Sequence, residues 1–321
     1  MFKIINAISR IRLIFMRPIN KNPEYLYPII IIYIVLVLIM AIWGGAFIAI
    51  KYLLNFITPV QIVKLRYIPT TVIFIAILLF KNKDEMIRII KQHPFRVGII
   101  SFTGVICYNL SLAIGEVKLS AGTAALIVNL SPIFNLIFAV IFLNERFTWA
   151  NLVGLILSMT GLFIIVRFGS EEKLELGYYL YALITFLAPL SWAIYTVASQ
   201  PLSKKFDAVS VTGLSIVLGT LPLIFLLNGD DIRAGINLSM MGWIALLFLI
   251  FGCTIFGFSG WVWTLKKLPT TRVASFLYLV PIFSLLFGYF LLGEKLTSGI
   301  IIGSVILLSG VYVVNKSEGK K

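Results

Sequence analysis

Residues 131–149 read SPIFNLIFAVIFLNERFTW, and residues 280–298 read VPIFSLLFGYFLLGEKLTS. From Lys118 onward the chain matches itself 149 positions later without a gap: Pro132-Ile133-Phe134 meets Pro281-Ile282-Phe283, Glu145 meets Glu294, and Thr148 meets Thr297. Gly154 meets Gly303 and Gly161 meets Gly310. About fourteen of roughly forty-nine positions are identical, and coinciding proline, glutamate and glycines point to duplication rather than shared apolar bias.

Working outward from that repeat, long apolar runs fill nearly all of the 321 residues, of which 60% are hydrophobic and 12% charged. A soluble domain is about one quarter charged. A span needs about 20 apolar residues to cross the hydrocarbon, where backbone groups must pair within the segment, so the runs predict an all-α integral membrane protein. The predicted spans are 29–51, 59–80, 95–115, 120–143, 148–168, 178–199, 207–228, 239–265, 270–292 and 297–315. They form ten transmembrane helices in two five-helix repeats, 29–168 and 178–315, joined by a linker at 169–177. An odd helix number per repeat makes the second copy enter the membrane from the other side, giving two inverted repeats, an arrangement used for alternating access.

Lysine and arginine collect in cytoplasmic loops. With an N-terminus inside, about nineteen of the 27 basic residues fall on inner segments, including Lys81, Arg88, Lys204, Lys266 and Lys316. This predicts a multi-pass protein with both termini cytoplasmic: a basic extension at 1–28 and a basic tail at 316–321. The extension places Arg10, Arg12 and Arg17 among Ile5, Ile8, Ile11 and Phe15, which fits either a short helix on the membrane face or a disordered tail. The net charge of +14 lies in loops of a membrane protein, so nucleic acid is not an expected partner. Cys107 and Cys253 lie in apolar runs and are assigned no chemistry.

The segment from Ala41 to Lys51, the opening of the second span from Pro59 to Arg66, and the paired junctions Leu143–Thr148 and Leu292–Thr297 resemble the EamA-type branch of the drug/metabolite transporter superfamily. The resemblance implies a ten-helix bundle whose central cavity is lined by helices 1, 3, 4, 6, 8 and 9, with helices 5 and 10 outermost. It also implies a plasma-membrane location and export of small metabolites such as amino acids or bases. More distant relatives exchange sugar phosphates or nucleotide sugars. No cofactor or metal is implied, and whether the protein is a monomer or homodimer stays open.

Candidate cavity residues follow. Trp43, Tyr108, Asn109, Asn129, Asn135, Trp192, Tyr195, Trp261 and Tyr278 lie in the helices that the resemblance places around the cavity. An aromatic lining suits flat or cationic cargo, and the competing reading is ordinary packing. Pro132 and Pro281 predict kinks near mid-span, freeing the carbonyls of Val128 and Leu277, as hinges of a moving pathway or as kinks healed by neighbouring helices. Arg66 either anchors packing through carbonyls or receives an anionic group, and Lys64 is expected to snorkel to the headgroups. Glu145 and Glu294 are read as structural junctions on opposite faces, three residues before the helix-capping positions Thr148 and Thr297.

Catalysis needs assembled acids, bases or metal ligands, and no span centre carries Asp, Glu or His. A membrane enzyme is therefore not expected, and the alternative from another class is a non-transporting scaffold or sensor. The same absence predicts facilitated diffusion or exchange rather than proton coupling.

Overall fold

The computed structural model describes residues 23–81, 83–119, 121–169, 176–292 and 298–318. Regular structure among them is helical throughout: α1 (Pro23–Leu53), α2 (Pro59–Lys81), α3 (Lys83–Gln92), α4 (Pro94–Gly115), α5 (Ala121–Val128), α6 (Ser131–Leu143) and α7 (Trp149–Gly169). There follow α8 (Leu176–Lys205), α9 (Ala208–Phe225), α10 (Gly229–Ile236), α11 (Met240–Lys267), α12 (Thr270–Ser275), α13 (Leu279–Leu292) and α14 (Ser298–Glu318). Seven of the predicted spans reappear as helices long and apolar enough to cross a membrane. The other three correspond to shorter apolar helices at Ser131–Leu143, Trp149–Gly161 and Ile301–Gly310. The N-terminal extension up to residue 22 and Glu294 lie outside the described residues.

Short polar motifs set where helices begin. Thr58 and Gln61 cap α2 reciprocally, Asp207 accepts from Val209 N–H at α9, and Asn228 and Asp231 form a capping box on α10. Thr148 Oγ1 accepts from Asn151 N–H and so caps α7 as expected. Phe80, Phe142, Phe225 and Phe290 stand exposed, an arrangement water would penalise and lipid favours.

The repeat is visible in the backbone. α4 contains a π-helical segment at Phe102–Cys107, and α11 contains one at Phe248–Phe256 that covers the positions 149 later. The fourth predicted span is interrupted between Val128 and Ser131, and the ninth passes through a 3-10 turn at Phe276–Tyr278. Both prolines stand just after these interruptions, Pro132 as the second residue of α6 and Pro281 as the third of α13. The expected mid-helix kinks are corrected accordingly: each proline occupies the first turn of a new helical segment, where its missing N–H has no intrahelical role. The carbonyl of Val128 is answered by the hydroxyl of Ser131.

α7 and α14, the last helices of the two copies, pack on each other. A Cβ at Gly161 would collide with backbone atoms of Gly303 and Leu307, and one at Gly310 with Gly154 and Ser158. The paired glycines therefore serve contact within one chain, settling a choice the sequence left open.

Candidate functional site

The aromatic residues named from sequence converge. Trp192 is the hub: its ring lies 5.0 Å from Trp43 in an edge contact, 5.6 Å from Trp261, and 5.1 Å from both Tyr108 and Tyr195. Trp43 and Trp192 are also separated by 149 positions, so the two copies meet here through the same residue. Trp43 Nε1 donates to the Cys253 carbonyl and Trp261 Nε1 to Thr196 Oγ1. Trp192 Nε1 is buried with no hydrogen-bond partner among the described residues.

Asn129 joins this cluster. With Trp43, Phe47, Tyr108 and Trp192 it borders a cavity of about 20 Å³, with room for one water and too small for a metabolite. Asn129 Nδ2 donates to the Ala125 carbonyl, and its Oδ1 is buried with no partner among the described residues. Two residues bordering the cavity thus carry unmet groups, a donor on Trp192 and an acceptor on Asn129. Asn135 and Tyr278 do not border it. Asn135 returns its amide to the Ser131 carbonyl, and Tyr278 lines a second cavity of about 20 Å³ with Pro132, Asn151 and Thr271.

Arg66 is buried and bridges the two π-helical segments. Its Nε donates to Thr254 Oγ1 at 2.6 Å, and its Nη1 to Asn109 Oδ1 at 3.2 Å. Asn109 follows the first segment and returns its amide to the carbonyls of Gly104 and Val105; Thr254 lies in the second and returns its hydroxyl to Leu249. A π turn shifts the i→i−4 ladder and leaves carbonyls to be answered, and these two side chains answer them. Both of Arg66's partners here are neutral, and among the described residues no carboxylate forms a salt bridge with it.

Lys64 departs from expectation. Instead of snorkelling, it is buried, with Nζ 2.8 Å from Asp231 Oδ2 and 2.6 Å from the Leu226 carbonyl. The loop between α9 and α10 covers it, and the counter-charge lies far along the chain, where span hydropathy gives no hint of it. Burial works against ionised Asp231, but hydrogen bonds from Lys64 and the Asn228 backbone outweigh it and hold the carboxyl below its usual range.

Glu145 stands at a helix junction whose following helix is capped by Thr148. Its carboxylate accepts from Thr270 N–H, Thr271 N–H and Thr271 Oγ1, and from Gln200 Nε2. It therefore sits on the N-terminus of α12, tying the first copy to α8 and α12 of the second. Asn144, left-handed at φ 54°, turns the chain immediately before it.

Sequence reasoning missed Thr254, Phe258 and Glu116. Phe258 stands 149 positions after Asn109 and packs 5.2 Å from Trp192, a relation the repeat register offered. Nothing in the sequence pointed to Thr254.

The EamA-like transporter family model matches residues 30–167 and again residues 179–316. The chain is 36% identical over 283 residues to an uncharacterized transporter of Archaeoglobus fulgidus, covering 88% of this chain and 98% of that one. It is 25% identical to a "Probable terminal-alkyne amino-acid exporter" of Streptantibioticus cattleyicolor, over 88% of this chain and 92% of that one. It is 24% identical to a "Probable amino-acid metabolite efflux pump" of Escherichia coli, over 86% and 92%. A crystal structure at 17% identity superposes with a TM-score of 0.68, covering 87% of this chain and 94% of that one, which speaks to fold alone.

Proposed function

The chain belongs to the EamA-like transporter family and is a multi-pass membrane transporter of the drug/metabolite superfamily; from that premise we propose that it carries amino acids or related small metabolites out of the cell by alternating access. In this reading two inverted five-helix halves, ten spans in all, rock about the aromatic cluster in the plasma membrane with both termini cytoplasmic. The observation that carries the reading is the small cavity at the meeting of the two halves. There Trp192 offers an unmet donor and Asn129 an unmet acceptor among stacked rings. Such a site suits a small zwitterion with an apolar side chain, once the rings part. The exporter names of two relatives agree in cargo class. The cavity is closed at about 20 Å³, as an occluded stage of such a cycle requires.

Arg66, with neutral partners in Thr254 and Asn109, supports an anionic group on the cargo. A carboxylate satisfies that need, and so does the phosphate of a sugar-phosphate exchanger, which is the second reading. Glu145 on the N-terminus of α12 is the closed latch on the cytoplasmic side in this scheme.

The test is saturable counterflow of radiolabelled amino acids into liposomes holding the full chain, beside a parallel panel of sugar phosphates. At least one amino acid is expected to exchange, with flux falling tenfold or more in Arg66→Gln and Trp192→Ala. Exchange of sugar phosphates alone moves the cargo to the second reading, and no saturable flux of either leaves the scaffold reading. Topology is checked separately by labelling cysteines introduced at Glu145 and Glu294, and emergence on one face of the bilayer would defeat the inverted arrangement.

A further inference from the structure

Glu116 ends α4, immediately beyond the membrane-length segment Pro94–Gly115. Its side chain is 0% exposed, and neither carboxyl oxygen has a hydrogen-bond partner among the described residues. At the preceding residue, Gly115, a Cβ would fall on Thr185 Oγ1, so α4 and α8 pack closely beside it. An ionised carboxylate in this place loses its hydration and gains no donor in return, at a cost of several kcal/mol. The helix end works in the same direction, because unpaired carbonyls give a C-terminus partial negative charge.

Lys51 is the neighbouring cation, and its ammonium is held elsewhere. Nζ donates to the backbone carbonyls of Glu116 at 2.9 Å and Leu119 at 2.8 Å, fastening the end of α1 to the turn after α4. Burial pushes the Glu116 carboxyl well above the ordinary carboxylate range, and Lys51 is the one charge opposing it. Tyr108, about two turns back on the same helix, is the other titratable group within electrostatic reach. The sixth predicted span contributes the neutral Thr185. Lys51, Glu116 and Val117 border, with the segment from Leu54 to Gln61, an open depression of about 440 Å³. Water therefore has a route to the neighbourhood of the buried acid.

We propose that Glu116 is a proton-binding site that couples transport to the proton gradient, with Lys51 as the group that responds to its charge. In the structure the carboxyl carries its proton and Lys51 caps the two carbonyls. When water enters from the depression, the O–H bond breaks, the proton passes to that water and the electron pair stays on the carboxylate oxygen. The new charge draws Lys51 Nζ from the two carbonyls and unfastens α1 from the turn. Proton return reverses the step. This replaces the sequence-based expectation of uncoupled movement, which rested on span centres alone and passed over an acid at a span end.

The proton site stands apart from the cargo reading, and its coupling role rests on that reading, so two measurements are needed. Infrared pH-difference spectra of the full chain in liposomes, from about pH 5 to about pH 9, are expected to show a buried carboxyl still protonated at neutral pH. That band should be absent in Glu116→Gln and displaced on the pH axis, though present, in Glu116→Asp. Lack of any band lost in Glu116→Gln overturns the proton site, whatever the cargo. Glu116→Gln imitates the protonated acid, so its melting temperature should equal or exceed that of the parent at neutral pH and above, which separates lost titration from lost folding. Imposed pH gradients of either polarity are then applied with the radiolabelled amino-acid panel. One proton exchanged per cargo gives about tenfold accumulation per pH unit, and Glu116→Gln and Lys51→Met should lose it. Amino-acid exchange that no gradient drives uphill overturns coupling and leaves the transporter reading intact. Absence of amino-acid flux overturns the cargo class while the infrared result stands.

Discussion

The two copies of the repeat share backbone devices and differ in charge. Each has a π-helical segment, an interruption before a proline, a tryptophan at the centre and a glycine-bearing last helix. The first copy alone places Lys51, Lys64, Arg66 and Glu116 at these depths; the positions 149 later hold Gln200, Gly213, Ser215 and Leu265. Backbone irregularity is thus kept in both copies, while buried charge is not matched position by position, the second copy holding Asp231 and Arg272 instead. In the proposed cycle such a frame, with shared backbone devices and unmatched polar groups, would rock between equivalent shapes while cargo and proton bind in one half. Breaking the shared devices should therefore disable both copies, whereas breaking the charges should be felt at one position and not at its mate.

The largest effect is expected at the α7–α14 seam. Leucine at Gly161 or Gly310 must push backbone from backbone, a strain that exceeds the usual 1–3 kcal/mol or so of overpacking because backbone atoms of the facing helix stand within reach of the new Cβ at both positions. Size-exclusion profiles of the detergent-solubilised variants should show loss of the monodisperse peak for both substitutions alike. Unequal outcomes would mean the copies are not mechanically equivalent.

Next in size is the asymmetric pair Arg66 and Ser215. Arg66→Ala leaves Asn109 Oδ1 and Thr254 without their charged donor across two π segments, a loss of roughly 3 kcal/mol, and Lys should not restore both directions of contact. Ser215→Ala removes a hydroxyl bonded within its own helix to the Thr212 carbonyl and should cost about 1 kcal/mol or less. Denaturation midpoints of the two variants test the difference. Between these lies the Lys64–Asp231 pair: Asp231→Ala strands a buried ammonium at a cost of about 3 kcal/mol, and Lys64→Met combined with Asp231→Leu should recover most of it. Failure of the double variant to recover would place the value of the pair in the Asn228 cap rather than in the charge.

What the sequence disclosed follows the same division. Apolar length and the repeat register were readable residue by residue, and the candidate cavity residues Trp43 and Trp192 do meet. The prolines were placed correctly and misjudged in effect, because Ser131 and the 3-10 turn relocate the break ahead of each ring. Side-chain pairing across long separations was not readable. Nothing local to Lys64 announces Asp231, and nothing local to Glu145 announces α12. Glu116 went unnoticed because its burial is a tertiary outcome that its local sequence does not announce.

The smallest expected effect concerns the two acids near the ends of the helices, whose surroundings bias them in opposite directions. Asp231 is held below its ordinary value of 3.8 by Lys64 and the capping backbone, so the unfolded chain binds its proton more readily than the folded one. Its contribution is present above that value and is lost as pH falls through the lower folded value. Glu116 carries the opposite sign: the folded chain holds the extra proton, and its contribution declines as pH rises above the ordinary 4.5. Thermal unfolding of the protein in detergent should therefore show a shallow acid limb that Asp231→Asn flattens and Glu116→Gln leaves in place. An acid limb unchanged by Asp231→Asn would show that the Lys64 ammonium is satisfied by the Leu226 carbonyl alone, and that the first copy's charges are independent of the loop that covers them.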